Sequence, residues 1–188
     1  ALETDPISAF GGIVSCNYKI TQKLASMLSK IFLEVIVANG FDKKALKILK
    51  SKKNLRLIDS SKITFNEVWK FNSLDNFTLI QTEDKKKISK KDFRIVSKKK
   101  PSKTQLDNLM FAFNVCRYTK SNAIVLASNK STIGIGSGQP SRLDSCEIAI
   151  NKMKKFNHLN KNLVAASDAF FPFVDGIESL VQSGVKAV

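Results

Sequence analysis

Thr132 to Arg142 reads TIGIGSGQPSR: three glycines on alternate positions, then a proline, a serine and the only arginine from Thr119 onward. A short apolar strand ends here in a glycine loop, and Pro140 stands where a first helical turn accepts proline. SRLDSCEIAINKMKKF follows, with Leu143, Cys146, Ile150 and Met153 at helical spacing. The junction is therefore strand, loop, helix. Glycines let a backbone approach closely, a helix start offers unpaired N–H groups, and Arg142 adds a charge that neither the turn nor the helix start requires. Two readings stay open: an anion-friendly corner, or a tight turn that needs glycine only for its dihedrals. Two familiar phosphate loops are excluded. The spacing is G-x-G-x-G and not G-x-G-x-x-G, and Asn157-His158 stand where an acidic residue belongs about 20 positions on. Gln139-Pro140 occupy the place of the Gly-Lys of a P-loop.

Working outward, NAIVLAS is a nearly continuous apolar strand upstream. Before it, KPSKTQLDNLMFAFNVCRYTK predicts a long helix that starts between Pro101 and Thr104 and buries Leu106, Leu109, Met110, Phe113 and Cys116 or Arg117. FRIVS reads as a strand. Downstream lie LVAASDAFFPF and a helix, DGIESLVQSG, ending on Gly184, with Asp175 suited to cap it. Towards the N-terminus, GGIVSCN, LEVIVANG and LRLI read as strands. The helices between them are capped by Thr21 and Asp42. That alternation predicts a largely parallel sheet with covered faces. From Asp59 to about Lys91 the pattern loosens into polar turns around NFTLIQTED, which reads as a strand at the start of a second lobe, and the domain seam is placed there. The fold class is α/β with mixed sheets covered by helices, in two parts, 1–58 and 59–188.

A chain of 188 residues, 43% apolar, can bury the core of one large domain or two small ones. No apolar run reaches the roughly 18 residues of a membrane span and ALETDPISAF lacks a signal peptide's build, so a cytoplasmic protein without a membrane partner is expected. The missing initiator Met and the abrupt end at GVKAV suggest an internal piece of a longer protein. The net charge of +15 invites a nucleic-acid reading. The charge is mostly Lys, however, with Arg56, Arg94, Arg117 and Arg142 as the arginines, and Arg is the better residue for phosphate and base contacts. No nucleic-acid partner is expected, although a basic binding module is the alternative from another class. Cys16, Cys116 and Cys146 are too scattered for a disulfide framework or a metal knuckle and read as small buried residues.

DPISAFGG, TKSNAIV, IGIGSGQPSR and SDAFFPF, in this order, resemble the formyltransferase region of the AICAR formyltransferase/IMP cyclohydrolase family, from Asp5 to about Val188. The resemblance implies transfer of a formyl group from 10-formyltetrahydrofolate to the 5-amino group of AICAR during purine (IMP) biosynthesis. It also implies two tandem cytidine-deaminase-like lobes, the first incomplete here, and a homodimer with sites at its interface. By similarity, Asn122 is the catalytic candidate, close to the formyl oxygen. Gly11, Glu34, Asn122, Arg142 and the backbone at Phe170 are the nucleotide positions, with Arg142 towards the carboxamide. Phe10, Leu143, Pro172, Phe173 and Asp175 are the folate positions. The family's catalytic Lys-His pair and its cyclohydrolase domain fall before Ala1, so the fragment alone is expected to be inactive. Zinc-deaminase ligands are missing from the sequence, so no metal is expected.

Each residue also has a plainer reading. Asn122 suits a cap or turn, and Asp168 and Asp175 suit helix caps. One of the adjacent phenylalanines of FFPF must be structural, since neighbours in an extended stretch point to opposite sides. Glu34 sits in the apolar stretch LEVIV, where an unpaired carboxylate would be costly, which favours a ligand or a buried partner. His158 lies in a polar linker and reads as a surface residue. Two departures from the family stand out: Asp75-Asn76 where Gly-Gly is frequent, and Val174 where Arg often follows FFPF.

Overall fold

The computed structural model describes residues 2, 4–64, 69–156 and 162–188, and His158 lies outside them. The fold is mixed α/β, with one parallel and two antiparallel sheets. The chain divides into two compact units, Ile7–Lys86 and Lys87–Val188, the second joined by Ala1–Pro6. The strand pair around Phe77 thus belongs with the N-terminal unit, and the division falls at Lys87 where the sequence seam begins at 59.

In the first unit, β1 (Gly12–Cys16), α1 (Gln22–Leu28), β2 (Leu33–Ala38), α2 (Lys43–Lys50) and β3 (Arg56–Asp59) form a parallel sheet in the order β1-β2-β3. Thr21 caps α1 by accepting from the Leu24 N–H at 3.4 Å. Asp42 stands at the N-cap of α2 but makes no side-chain cap; its carboxylate pairs with Lys19 at 3.1 Å instead. Val14, Cys16, Ile36, Ala38 and Leu57 turn to the helices and join Ala25, Ala45 and Leu49 in one core. The expectation of two covered faces fails for this sheet. Ile13 pairs with Val35 and Val37 with Ile58, and on that opposite face Ile13 and Ile58 are exposed. β4 (Trp69–Leu74) and β5 (Phe77–Thr82) form an antiparallel hairpin exposed along both strands. β4 escaped the sequence reading, and among the described residues no helix covers the pair. Its turn explains one departure: only Asp75 is left-handed there (φ 51), and Asp tolerates that region.

In the second unit, α3 (Lys103–Cys116), β6 (Ile124–Ser128), β7 (Ser131–Gly136), α4 (Arg142–Lys155), β8 (Val164–Ser167) and α5 (Asp175–Gln182) make a three-layer arrangement. The sheet is antiparallel, in the order β7-β6-β8. β6 is buried on both faces, as its unbroken apolar run requires. Ile124 and Leu126 face α4 and α5 together with Cys146, Ile150, Met153 and Leu180. Val125 and Ala127 face α3 with Ala112 and Cys116. The fully buried line of α3 is Asn108, Ala112 and Cys116, one turn apart; the larger side chains expected inward flank it, because the small ones let the helix lie close to the sheet. Asn108 is satisfied there, accepting from the Lys130 N–H and donating to the Asn162 carbonyl. FRIVS is not a strand. A 3-10 turn at Lys90–Asp92, closed by reciprocal Ser89 and Asp92 bonds, precedes it, and Phe93 packs edge-on against Phe113.

Candidate active site

The quoted glycines split into two kinds. A Cβ on Gly134 would lie 2.1 Å from the Ala149 carbonyl oxygen, and one on Gly136 only 1.9 Å from that of Ser145. These two let α4 press its backbone onto β7, so what they hold is a helix. Gly138, at φ +68, supplies the left-handed turn that carries the chain off the sheet. Ser141 then caps α4, its hydroxyl accepting from the Asp144 N–H, and Arg142 is the first helical residue.

A cation in a helix's first turn opposes the macrodipole, and here it is answered locally. Arg142 Nη1 donates to Asp168 Oδ1 at 2.6 Å and to Ser167 Oγ at 2.7 Å, while Nη2 donates to Asn122 Oδ1 at 2.7 Å. The ion-paired side chains are only 12% and 15% exposed. A guanidinium has five N–H donors. With three of them taken, the Nε–H and one N–H on Nη2 have no acceptor among the described residues. The ring of Phe171 lies 5.9 Å from the guanidinium carbon.

Asn122 is pinned on every side. Its Nδ2 donates to the carbonyls of Gln139 and Pro140, both at 2.9 Å, and its Oδ1 takes the Arg142 bond. Flipping the amide would set oxygen against two carbonyls and nitrogen against a guanidinium, so the network itself fixes the orientation. Its backbone N–H also donates to Gln139 O and its carbonyl accepts from Ser145 Oγ. The Ser121–Asn122 peptide is cis.

Asp168, read from sequence as a helix cap, caps nothing. It accepts from Arg142, from the Ser121 hydroxyl and from the Ala123 N–H. Burial works to raise its pKa, but the bonds from Ser121, Arg142 and Ala123 and the Arg142 charge outweigh it and hold the carboxyl below its ordinary value. The signal that could have revealed this role is the unexplained charge of Arg142, which demanded a carboxylate.

A cleft of about 340 Å³ opens beside Arg142. Asn122, Arg142, Leu143, Phe170, Pro172, Phe173 and Asp175 all line it, together with Phe171. Of the two adjacent phenylalanines, Phe171 packs on the core, whereas Phe170 and Phe173 are 80% and 73% exposed, which leaves their rings free to cover a flat ligand. Asp175 is the first residue of α5, and Val174 holds the cap position; among the described residues the carboxylate accepts from the adjacent Gly176 N–H alone.

The remaining candidates lie in the first unit. Gly11 is left-handed at φ +73 and donates its N–H to Phe32 O, while Phe10 and Phe32 pair with ring centroids 4.7 Å apart. Glu34 stands 3.6 Å from where a Gly11 Cβ would be, and it is exposed, so burial imposes no need for a partner. Among the described residues no group of three or more His, Cys, Asp or Glu is placed to hold a metal, and no helix is long and apolar enough to cross a membrane. Cys116 and Cys146 are buried, and burial pushes both thiols up to about 11; Cys16 is half-buried.

Comparison with known proteins gives a consistent answer. The family described as the AICARFT/IMPCHase bienzyme matches residues 1–152. The bifunctional purine biosynthesis protein PurH of Aquifex aeolicus is 43% identical over the whole of this chain, that of Oceanobacillus iheyensis 41%, and that of Chlorobium phaeobacteroides 39%. In each case the chain spans 36% of the relative's length.

Proposed function

The chain belongs to the AICARFT/IMPCHase bienzyme family, and from that premise we propose that its cleft serves the transfer of formyl from 10-formyltetrahydrofolate to the 5-amino group of AICAR. The observation that carries this reading is the pair of unengaged Arg142 N–H donors at a cleft walled by aromatic rings. The ion pair with Asp168 balances the guanidinium charge, so the corner suits a neutral oxygen such as the carboxamide better than a phosphate.

The amine of AICAR is a weak nucleophile, because its lone pair is delocalised into the imidazole and carboxamide. Fixing the carboxamide sets the amine's direction of attack. The amine nitrogen then bonds to the formyl carbon, the bond from that carbon to N10 breaks, and the proton leaving the amine is restored at N10 of the folate. Leu143, Pro172 and Phe173 supply apolar walls for the pterin and benzoyl rings, and Asp175 an acceptor for ring N–H groups. Asn122 holds the loop and Arg142 in place. To donate to the formyl oxygen it must exchange one of its bonds to Gln139 or Pro140. Gly11 and Glu34 are proposed as nucleotide-contacting residues and Phe10 as a folate-contacting one. The IMP cyclohydrolase step is assigned outside these residues, and the assembly is a cytoplasmic homodimer.

Formyl transfer by the protein at its natural full length tests the reading. Arg142→Ala raises the KM for AICAR about tenfold or more, the loss of hydrogen bonds to a charged group, and leaves the folate KM near its starting value. An unchanged AICAR KM overturns the assignment.

A further inference from the structure

The proposed function needs Arg142 at the substrate, yet it assigns nothing to the carboxylate behind it. Asp168 does not line the cleft; it reaches the site only through the guanidinium, at 2.6 Å. Its place is built and not incidental. The Ser121 hydroxyl and the Ala123 N–H fix it from the strand entry, while Ser167 shares the same Arg142 nitrogen. An arginine with this counter-charge presents polar donors but little net field, whereas one without it presents a full positive charge in a poorly solvated corner.

We infer that Asp168 is a positioning residue that sets specificity through Arg142, making the cleft favour a neutral carboxamide over a carboxylate at the same place on the imidazole ring. The two groups have the same shape and both offer an oxygen to the free N–H donors. Towards those donors, shape and hydrogen bonding separate the two oxygens poorly, and charge is the discriminator that Arg142 can apply. A carboxylate would lose its solvation on entry and gain no net positive charge in return, because Asp168 already neutralises Arg142. This inference rests on the reading of the cleft as the nucleotide site.

The test compares AICAR with its 4-carboxylate counterpart, used as a competitive inhibitor of formyl transfer by the protein at its natural full length. The unaltered protein binds the carboxylate about tenfold or more weakly than AICAR. In Asp168→Asn, which keeps an acceptor towards Arg142 and Ala123 and can donate to the Ser121 oxygen, that preference shrinks at least severalfold or reverses. Asp168→Glu, which keeps the charge, retains it. Equal binding of the two compounds to the unaltered protein overturns the inference even if no variant folds, and so does an undiminished preference in a folded Asp168→Asn protein. Failure of the underlying reading is distinguishable, because there Arg142→Ala leaves AICAR binding untouched.

Discussion

Gly136 and Gly184 show how differently two glycines can be needed. At Gly136 a side chain would run into the Ser145 backbone, so Gly136→Ala must push α4 off the sheet; a loss of about 3 kcal/mol is expected by urea denaturation. At Gly184 there is open space but φ is +101, and Gly184→Ala is expected to cost only about 1–2 kcal/mol, the strain of the left-handed region. Asp168 gives a residue-scale prediction with a sign. Its carboxyl is held below the ordinary value, so its stabilising contribution is complete above the usual carboxylate range near about pH 4 and is lost as pH falls through the lower native value. Urea stability measured from neutral into acid should therefore fall less steeply in Asp168→Asn than in the unaltered protein. The sequence made Arg142 legible because an arginine at a helix start had no local reason to be there. Asp168 stayed hidden because its partners lie 26, 45 and 47 positions away, beyond any local pattern.

At the scale of elements, what local chemistry dictates was readable and what partners dictate was not. The run NAIVLAS is β6, since nothing but a strand buried on both faces accommodates so continuous an apolar stretch. The start of α3 was readable to within a residue or two from Pro101 and the helical spacing behind it, and in the structure Ser102 and Gln105 cap each other there. Ser102→Ala is accordingly expected to cost about 1 kcal/mol, with the helix otherwise intact by circular dichroism. FRIVS misled because β-propensity describes a surface ready for pairing and provides no partner. The hairpin β4–β5 has the opposite character: it pairs fully yet leaves Trp69, the only tryptophan, largely exposed. Fluorescence of this chain should be red-shifted and readily quenched by acrylamide. A shielded, blue-shifted emission would mean that the hairpin is covered in solution.

For the whole molecule, the net charge of +15 and the cleft make separate demands on a partner. If the lysines were the working surface, affinity for an oligonucleotide would fall about 10³- to 10⁵-fold between 50 and 200 mM salt, as counterion release requires. The expected behaviour is weak oligonucleotide binding that vanishes with salt, beside AICAR binding that changes far less. The central claim is spatial and chemical at once: the donors of Arg142 take the substrate's carboxamide in a cleft that the FFPF bend helps to wall for the folate. A crystal structure of the natural full-length protein with AICAR and a non-reactive folate analogue tests this most directly. The carboxamide oxygen is expected within hydrogen-bond reach of the Arg142 Nε or Nη2, with the Asp168 pair intact. A nucleotide bound elsewhere, with those two donors still facing solvent, would contradict it.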